Sequence, residues 1–274
     1  MLNKLKFVLS FPEFREKEEM FNLYKGFVRC LNCDEALILL IDDSTAGFKT
    51  ELIINSIVNK LQKLSKVQTE NFFENSYSVI EKLDWRPKSR VAKLLFRCNL
   101  HLSKKGIFKL TRYFLNSKYN LFRRYGYEIL NSQNLNFSKE LLKIWNRFND
   151  IEALELLTNS LSQTELFSLF DEAEEVLSDA EFDFDVLKFR NIYYSKIIDF
   201  IPERLLKLSV EDPVSYVFVM KNANRQISKD LALEIYEKNK SSRSIAACYG
   251  ELGQWDVLVE IYNSIIRKTK NLLE

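Results

Sequence analysis

Three groups of residues in this 274-residue chain have the types and spacing to carry chemistry. Cys30 and Cys33 form a Cys-x2-Cys, and Cys98 and His101 a Cys-x2-His, which together would supply four zinc ligands at about 2.0–2.3 Å. Their flanks, RCLNCDEALI and FRCNLHLS, read as apolar helix rather than the tight turns of zinc knuckles. Buried thiols and a surface histidine are therefore expected, and no metal is assigned. A second group follows the apolar run Ala36 to Ile41, where Asp42 and Asp43 precede Gly47, Lys49 and Thr50. A phosphate loop needs Gly-x4-Gly-Lys-Ser/Thr to turn consecutive amides onto phosphates, and here the first Gly is absent and Phe48 separates Gly47 from Lys49. This segment reads as a buried helix and a turn.

The third group is a run of carboxylates: Asp171, Glu172, Glu174, Glu175, Asp179, Glu181, Asp183 and Asp185. Eight acids could hold a hard divalent cation, but the calcium-loop spacing and its glycine are missing. A solvated or partner-facing acidic surface is the expectation. His101 is the only histidine, so a nucleophile and base pair would have to be built around one side chain. The chain reads as non-catalytic and without a cofactor.

The elements that must position these residues are helical. Six Gly and four Pro are far fewer than the roughly 12% of average usage, and turn-rich β folds need more. Apolar residues recur at three and four spacing, as in Ile107, Leu110 and Phe114 or Leu154, Leu157 and Leu161. Pro12, Pro87, Pro202 and Pro213 each precede a periodic run, Asp212 before Pro213 reads as an N-cap, and Ser162 with Glu165 has capping-box spacing. No apolar run approaches the roughly 20 residues of a membrane span. Residues 1–11 lack a long apolar region and a cleavage site, and the four cysteines, Cys248 included, form no dense framework. A cytoplasmic protein with reduced thiols is expected, with no membrane contact.

Taking Val91, Leu121, Ile151, Val186, Val214 and Ile245 as anchors of successive helical pairs gives a period near 30 residues. The expected fold is all-α, a curved α-solenoid of stacked antiparallel helical hairpins, with an N-terminal helical region over 1–84 continuous with hairpin repeats over 85–274. Two stretches resemble known repeats. Ser244 to Lys268 is similar to a tetratricopeptide-type hairpin, with Tyr249, Gly253, Trp255 and Tyr262 at packing positions and Leu258 and Ile265 where that family has small residues. Asn120 to Asn131 resembles the second helix of a HEAT-type repeat through Arg123, Tyr125 and Leu130. Both resemblances imply a binding scaffold.

The net charge of +2 conceals two blocks. Trp85 to Tyr127 holds twelve basic residues and no acidic one, and Phe148 to Leu187 holds twelve acidic residues and no basic one. Within the basic block Arg90, Lys93 and Arg97 share one helix face, as do Lys105, Lys109 and Arg112; Arg123 and Arg124 follow, and aromatics are interleaved. Two functions fit. The first is an immunity or inhibitor protein whose acidic segment, 150–185, neutralises a basic nuclease-type toxin by electrostatic complementarity. The alternative is a nucleic-acid-binding helical repeat using the segment 86–124 on phosphates. The first requires no missing chemistry and gives the concentrated acids a purpose.

Overall fold

The computed structural model of the chain describes residues 18–42, 45, 47–178, 183–228 and scattered positions from 230 to 267, with side chains from residue 21 onward. Its described residues form helices and turns and include no strand. They divide into two compact units between Glu140 and Leu141.

The first unit contains α1 (Glu18–Cys30), α2 (Cys33–Ile41), α3 (Phe48–Leu61), α4 (Lys66–Ile80), α5 (Trp85–Arg97), α6 (Lys104–Leu115) and α7 (Asn120–Gln133). Caps fix several of their starts. Asn32 opens α2 and Ser65 opens α4 with reciprocal capping boxes to Glu35 and Gln68, each satisfying two otherwise orphaned amides. Ser103 caps α6 by accepting from the Gly106 N–H. Consecutive helices pack as pairs, α2 on α3, α4 on α5 and α6 on α7, while α1, α3, α5 and α7 pack in succession on the next but one. The tightest fit is α6 on α7. A Cβ added at Gly126 would meet Leu115 Cδ2 at 2.8 Å and the Leu115 backbone nitrogen at 3.3 Å, so any side chain there would force Leu115 to shift. Asn120 to Asn131, the HEAT-like stretch, is α7, with Arg123 and Leu130 buried and Tyr125 stacked on Phe96 at 4.6 Å.

A continuous core runs through this unit, from Tyr24 and Val28 through Leu39, Ile53, Ile57, Phe73, Leu94 and Phe114 to Phe122 and Ile129. Burial of an aliphatic or aromatic side chain of this size contributes about 1.5–3 kcal/mol, which is why the three and four spacing recovers the helices.

The second unit contains α9 (Ile151–Thr158), α10 (Gln163–Phe167), α11 (Phe170–Ser178), α12 (Phe184–Lys196), α13 (Pro202–Glu211) and α14 (Pro213–Asn222), and α8 (Ser138–Phe148) spans the division. The expected starts at Ser162 and Asp212 occur as read: Ser162 and Glu165 form a capping box, and Asp212 accepts from the Ser215 N–H with Pro213 in the first turn. Helix α12 is the centre. It packs on α9, α11 and α14, and Tyr193 and Tyr194 are completely buried. The Tyr193 hydroxyl donates to the Leu166 carbonyl at 2.6 Å, tying α12 to the end of α10. Arg190, 7% exposed, donates to Asp212 at 3.0 Å and to Ser215 Oγ at 3.3 Å, tying α12 to the start of α14. Tyr249, Gly253 and Cys248 lie outside the described residues.

Among the described residues no helix is long and apolar enough to cross a membrane.

Candidate functional site

The acidic surface is built on α11. Ala173 and Leu177 point inward, and Glu174 accepts an ion pair from Arg204 of α13. Arg204 also lies over the Tyr194 ring, 6.0 Å from its centroid, so Glu174 is held by an arginine that is itself packed on the core. The remaining acids point away. Asp171, Glu172 and Glu175 are exposed and have no hydrogen-bond or ion-pair partner among the described residues; at 100° per residue they share an arc of about 100°. Asp183 caps α12, accepting from the Asp185 N–H at 3.0 Å and the Val186 N–H at 3.4 Å, with exposed Asp185 beside it. Asp179 and Glu181 lie outside the described residues.

The electrostatics of this helix are mixed. Asp171 and Glu172 occupy its first turn, where the helix dipole favours a negative charge by about 0.3–1 kcal/mol. Glu175 lies four residues after Asp171 and toward the negative end, where like-charge repulsion costs about 0.2–0.5 kcal/mol. Neither effect gives Glu175 an internal role.

Aromatic surface adjoins the acids. Phe167, at the end of α10, stacks on Phe170 at 6.2 Å and on Phe200 at 5.1 Å, and Phe167 and Phe200 each remain 38% exposed. Phe184, in the first turn of α12, is 78% exposed. The reading from sequence missed these aromatics, because helical spacing marks an aromatic as apolar without showing which side of the helix is covered.

The basic block is occupied from within. Arg90 donates through Nε to the Leu40 carbonyl at 2.8 Å, through Nη1 to Thr45 at 2.6 Å, and through Nη2 to Ile41 at 3.1 Å and Asp42 at 2.9 Å. It therefore closes the carbonyl end of α2 and the turn leading to α3. Lys93 pairs with Glu51 and Arg97 donates to Asn55 Oδ1 at 3.2 Å, both on α3. Lys109 pairs with Glu74 of α4 and lies 4.4 Å from the Tyr77 ring centroid, while Arg112 pairs with Glu140 at 3.4 Å. Arg123, 6% exposed, donates to the carbonyls of Ser117 and Lys118. The other two cations read as phosphate ligands, Lys105 and Arg124, are exposed on the surface.

The expectation of buried thiols and a surface histidine holds only for Cys98: Cys30, at the end of α1, is exposed, and Cys33 and His101 are half-buried. Burial pushes the Cys98 thiol up to about 12, with the nearby Cys33 charge adding to the rise, and His101 ends a single turn after α5. Cys33 is raised by its own partial burial, against the opposing charge of Lys60. Among the described residues no three His, Cys, Asp or Glu side chains gather where a metal ion could bind. Gly47, at φ 57°, opens α3, and the Thr45 hydroxyl donates to the Leu39 carbonyl at 2.7 Å. The stretch resembling a phosphate loop is thus the turn closed by Arg90. No protein-family model, curated protein or solved structure matches the chain.

Proposed function

We propose that this protein is a non-catalytic helical-repeat scaffold that binds a basic protein partner through the acidic face of α11, acting as an inhibitor or immunity protein toward a nuclease-type toxin. The stacking of α1, α3, α5 and α7 on one another supports a solenoid of hairpins, although the hairpins pair α4 with α5 and α6 with α7 instead of starting at Val91. One observation carries the functional reading: Asp171, Glu172 and Glu175 stand exposed and unpaired on a helix fixed from behind by Ala173, Leu177 and the Glu174–Arg204 pair. A basic partner would gain fast encounter from these charges and adhesion from Phe167 and Phe200 beside them, since interfaces place aromatic anchors inside a charged rim. The alternative use of 86–124 on nucleic acid has less support, because most of its cations already bind carbonyls and carboxylates of the same unit.

The test is capture on the immobilised full chain at low salt, elution with high salt and identification of what is released. A basic protein is expected, lost when Asp171→Asn, Glu172→Gln and Glu175→Gln are combined, and its nuclease activity should fall on stoichiometric addition of this chain. Release of nucleic acid alone, or of a protein indifferent to the triple substitution, would reject the proposal.

A further inference from the structure

Two adjoining clefts in the first unit share Arg29, Lys60 and Lys63 as a common wall. One, of about 610 Å³, lies between the end of α1, the start of α2 and the outer side of α4, where Asn71, Phe72 and Asn75 line it. The other, of about 520 Å³, runs between α1 and α3 and adds Lys25, Asn55 and Asn59. Both fall in the size range of small-molecule sites, about 300–1,000 Å³. Four cations line them against one acid, Asp34.

Lys60 has a structural role. Its ammonium donates to the carbonyls of Val28 and Leu31 and to Ser56 Oγ, closing the end of α1. Lys25, Arg29 and Lys63 have no such partner among the described residues. The ends of α1 and α3 each bring about half a negative charge and the start of α2 about half a positive one. Against four cations and Asp34 the clefts therefore keep a surplus of about two to three positive charges. That surplus, on open surface clefts also lined by the amides of Asn59, Asn71 and Asn75, suits an anion with several charged oxygens rather than a single carboxylate.

We propose that the joined clefts bind a small polyanion carrying at least two phosphate groups, with Lys25, Arg29 and Lys63 as its charge ligands. A long nucleic acid fits less well, because the neighbouring cations that would extend the track, Lys93, Arg97 and Lys109, are engaged with Glu51, Asn55 and Glu74. Titration calorimetry of the full chain with tripolyphosphate, ATP, orthophosphate and a single-stranded oligonucleotide tests this. Tripolyphosphate and ATP should bind at least tenfold tighter than orthophosphate. The combined Lys25→Gln, Arg29→Gln and Lys63→Gln variant should lose that binding at least tenfold with its melting temperature unchanged. Substituting the exposed Lys139 and Lys143 to Gln should leave it intact. No binding of either polyphosphate at millimolar concentration, equal loss in the Lys139 and Lys143 variant, or tighter binding of the oligonucleotide would each overturn the proposal. Binding of tripolyphosphate but not ATP supports the site and restricts it to compact anions.

Discussion

The basic block of α5 to α7 and the acidic block around α11 carry equal numbers of charges in sequence, and the fold uses them in opposite ways. On α5 and α6 the cations reach neighbouring helices: Arg90 holds four carbonyls, Lys93 and Lys109 take Glu51 and Glu74, and Arg112 takes Glu140. On α11 one acid of four, Glu174, is tied inward, and the other three face water. A charge block is therefore not a surface until its neighbours are known. Removing charge from the first block should cost stability, whereas removing it from the second should cost only binding.

The largest expected effect is at Arg90. Arg90→Met keeps the aliphatic stem and strands the carbonyls at the end of α2, so a loss of about 3 kcal/mol is expected, read by denaturant unfolding. A loss below about 0.5 kcal/mol would break the distinction between the blocks. Gly126→Ala places a methyl group against Leu115, and overpacking of about 1–3 kcal/mol should exceed the roughly 1 kcal/mol that alanine gains in a helix. A net destabilisation confirms that α7 is seated on α6 by shape rather than by its charges. Lys109→Met removes a partly exposed ion pair and a cation–π contact and should cost about 0.5–1 kcal/mol, less at high salt.

On the acidic side, the Asp171→Asn, Glu172→Gln and Glu175→Gln combination should leave stability within about 0.5 kcal/mol of the parent, because lost dipole interaction offsets relieved repulsion. A pH titration gives the smallest effect. Hydrogen bonds from Ser103 hold the Glu70 carboxyl below its ordinary value of 4.5. Its contribution is present above that value and fades as the pH falls through the lower folded value. Glu70→Gln should flatten the acid limb of the stability profile, and an unchanged limb would show that the Ser103 cap does not depend on this charge.

Helix type and many helix starts were legible in the sequence, because apolar spacing and caps such as Ser162 with Glu165 act within a few residues of themselves. The destinations of the basic stripe were not. Arg90, Lys93 and Arg97 do share a face, but their partners are 42 to 50 residues away in the chain, on α2, α3 and the turn between them. Periodicity shows that a stripe exists and leaves open whether it meets water or another helix. Lys25, Arg29 and Lys63 escaped notice for the converse reason: they lie outside the basic block, and only the packing of α1, α3 and α4 brings them to one wall.

The most direct measurement of the central claim is the association rate of the captured basic partner with the parent and with the Asp171, Glu172 and Glu175 variant, at 20 mM and 300 mM salt. The account predicts a rate at least tenfold lower for the variant at low salt, with the two rates converging at high salt and equal thermal stability throughout. Equal rates at low salt would contradict it.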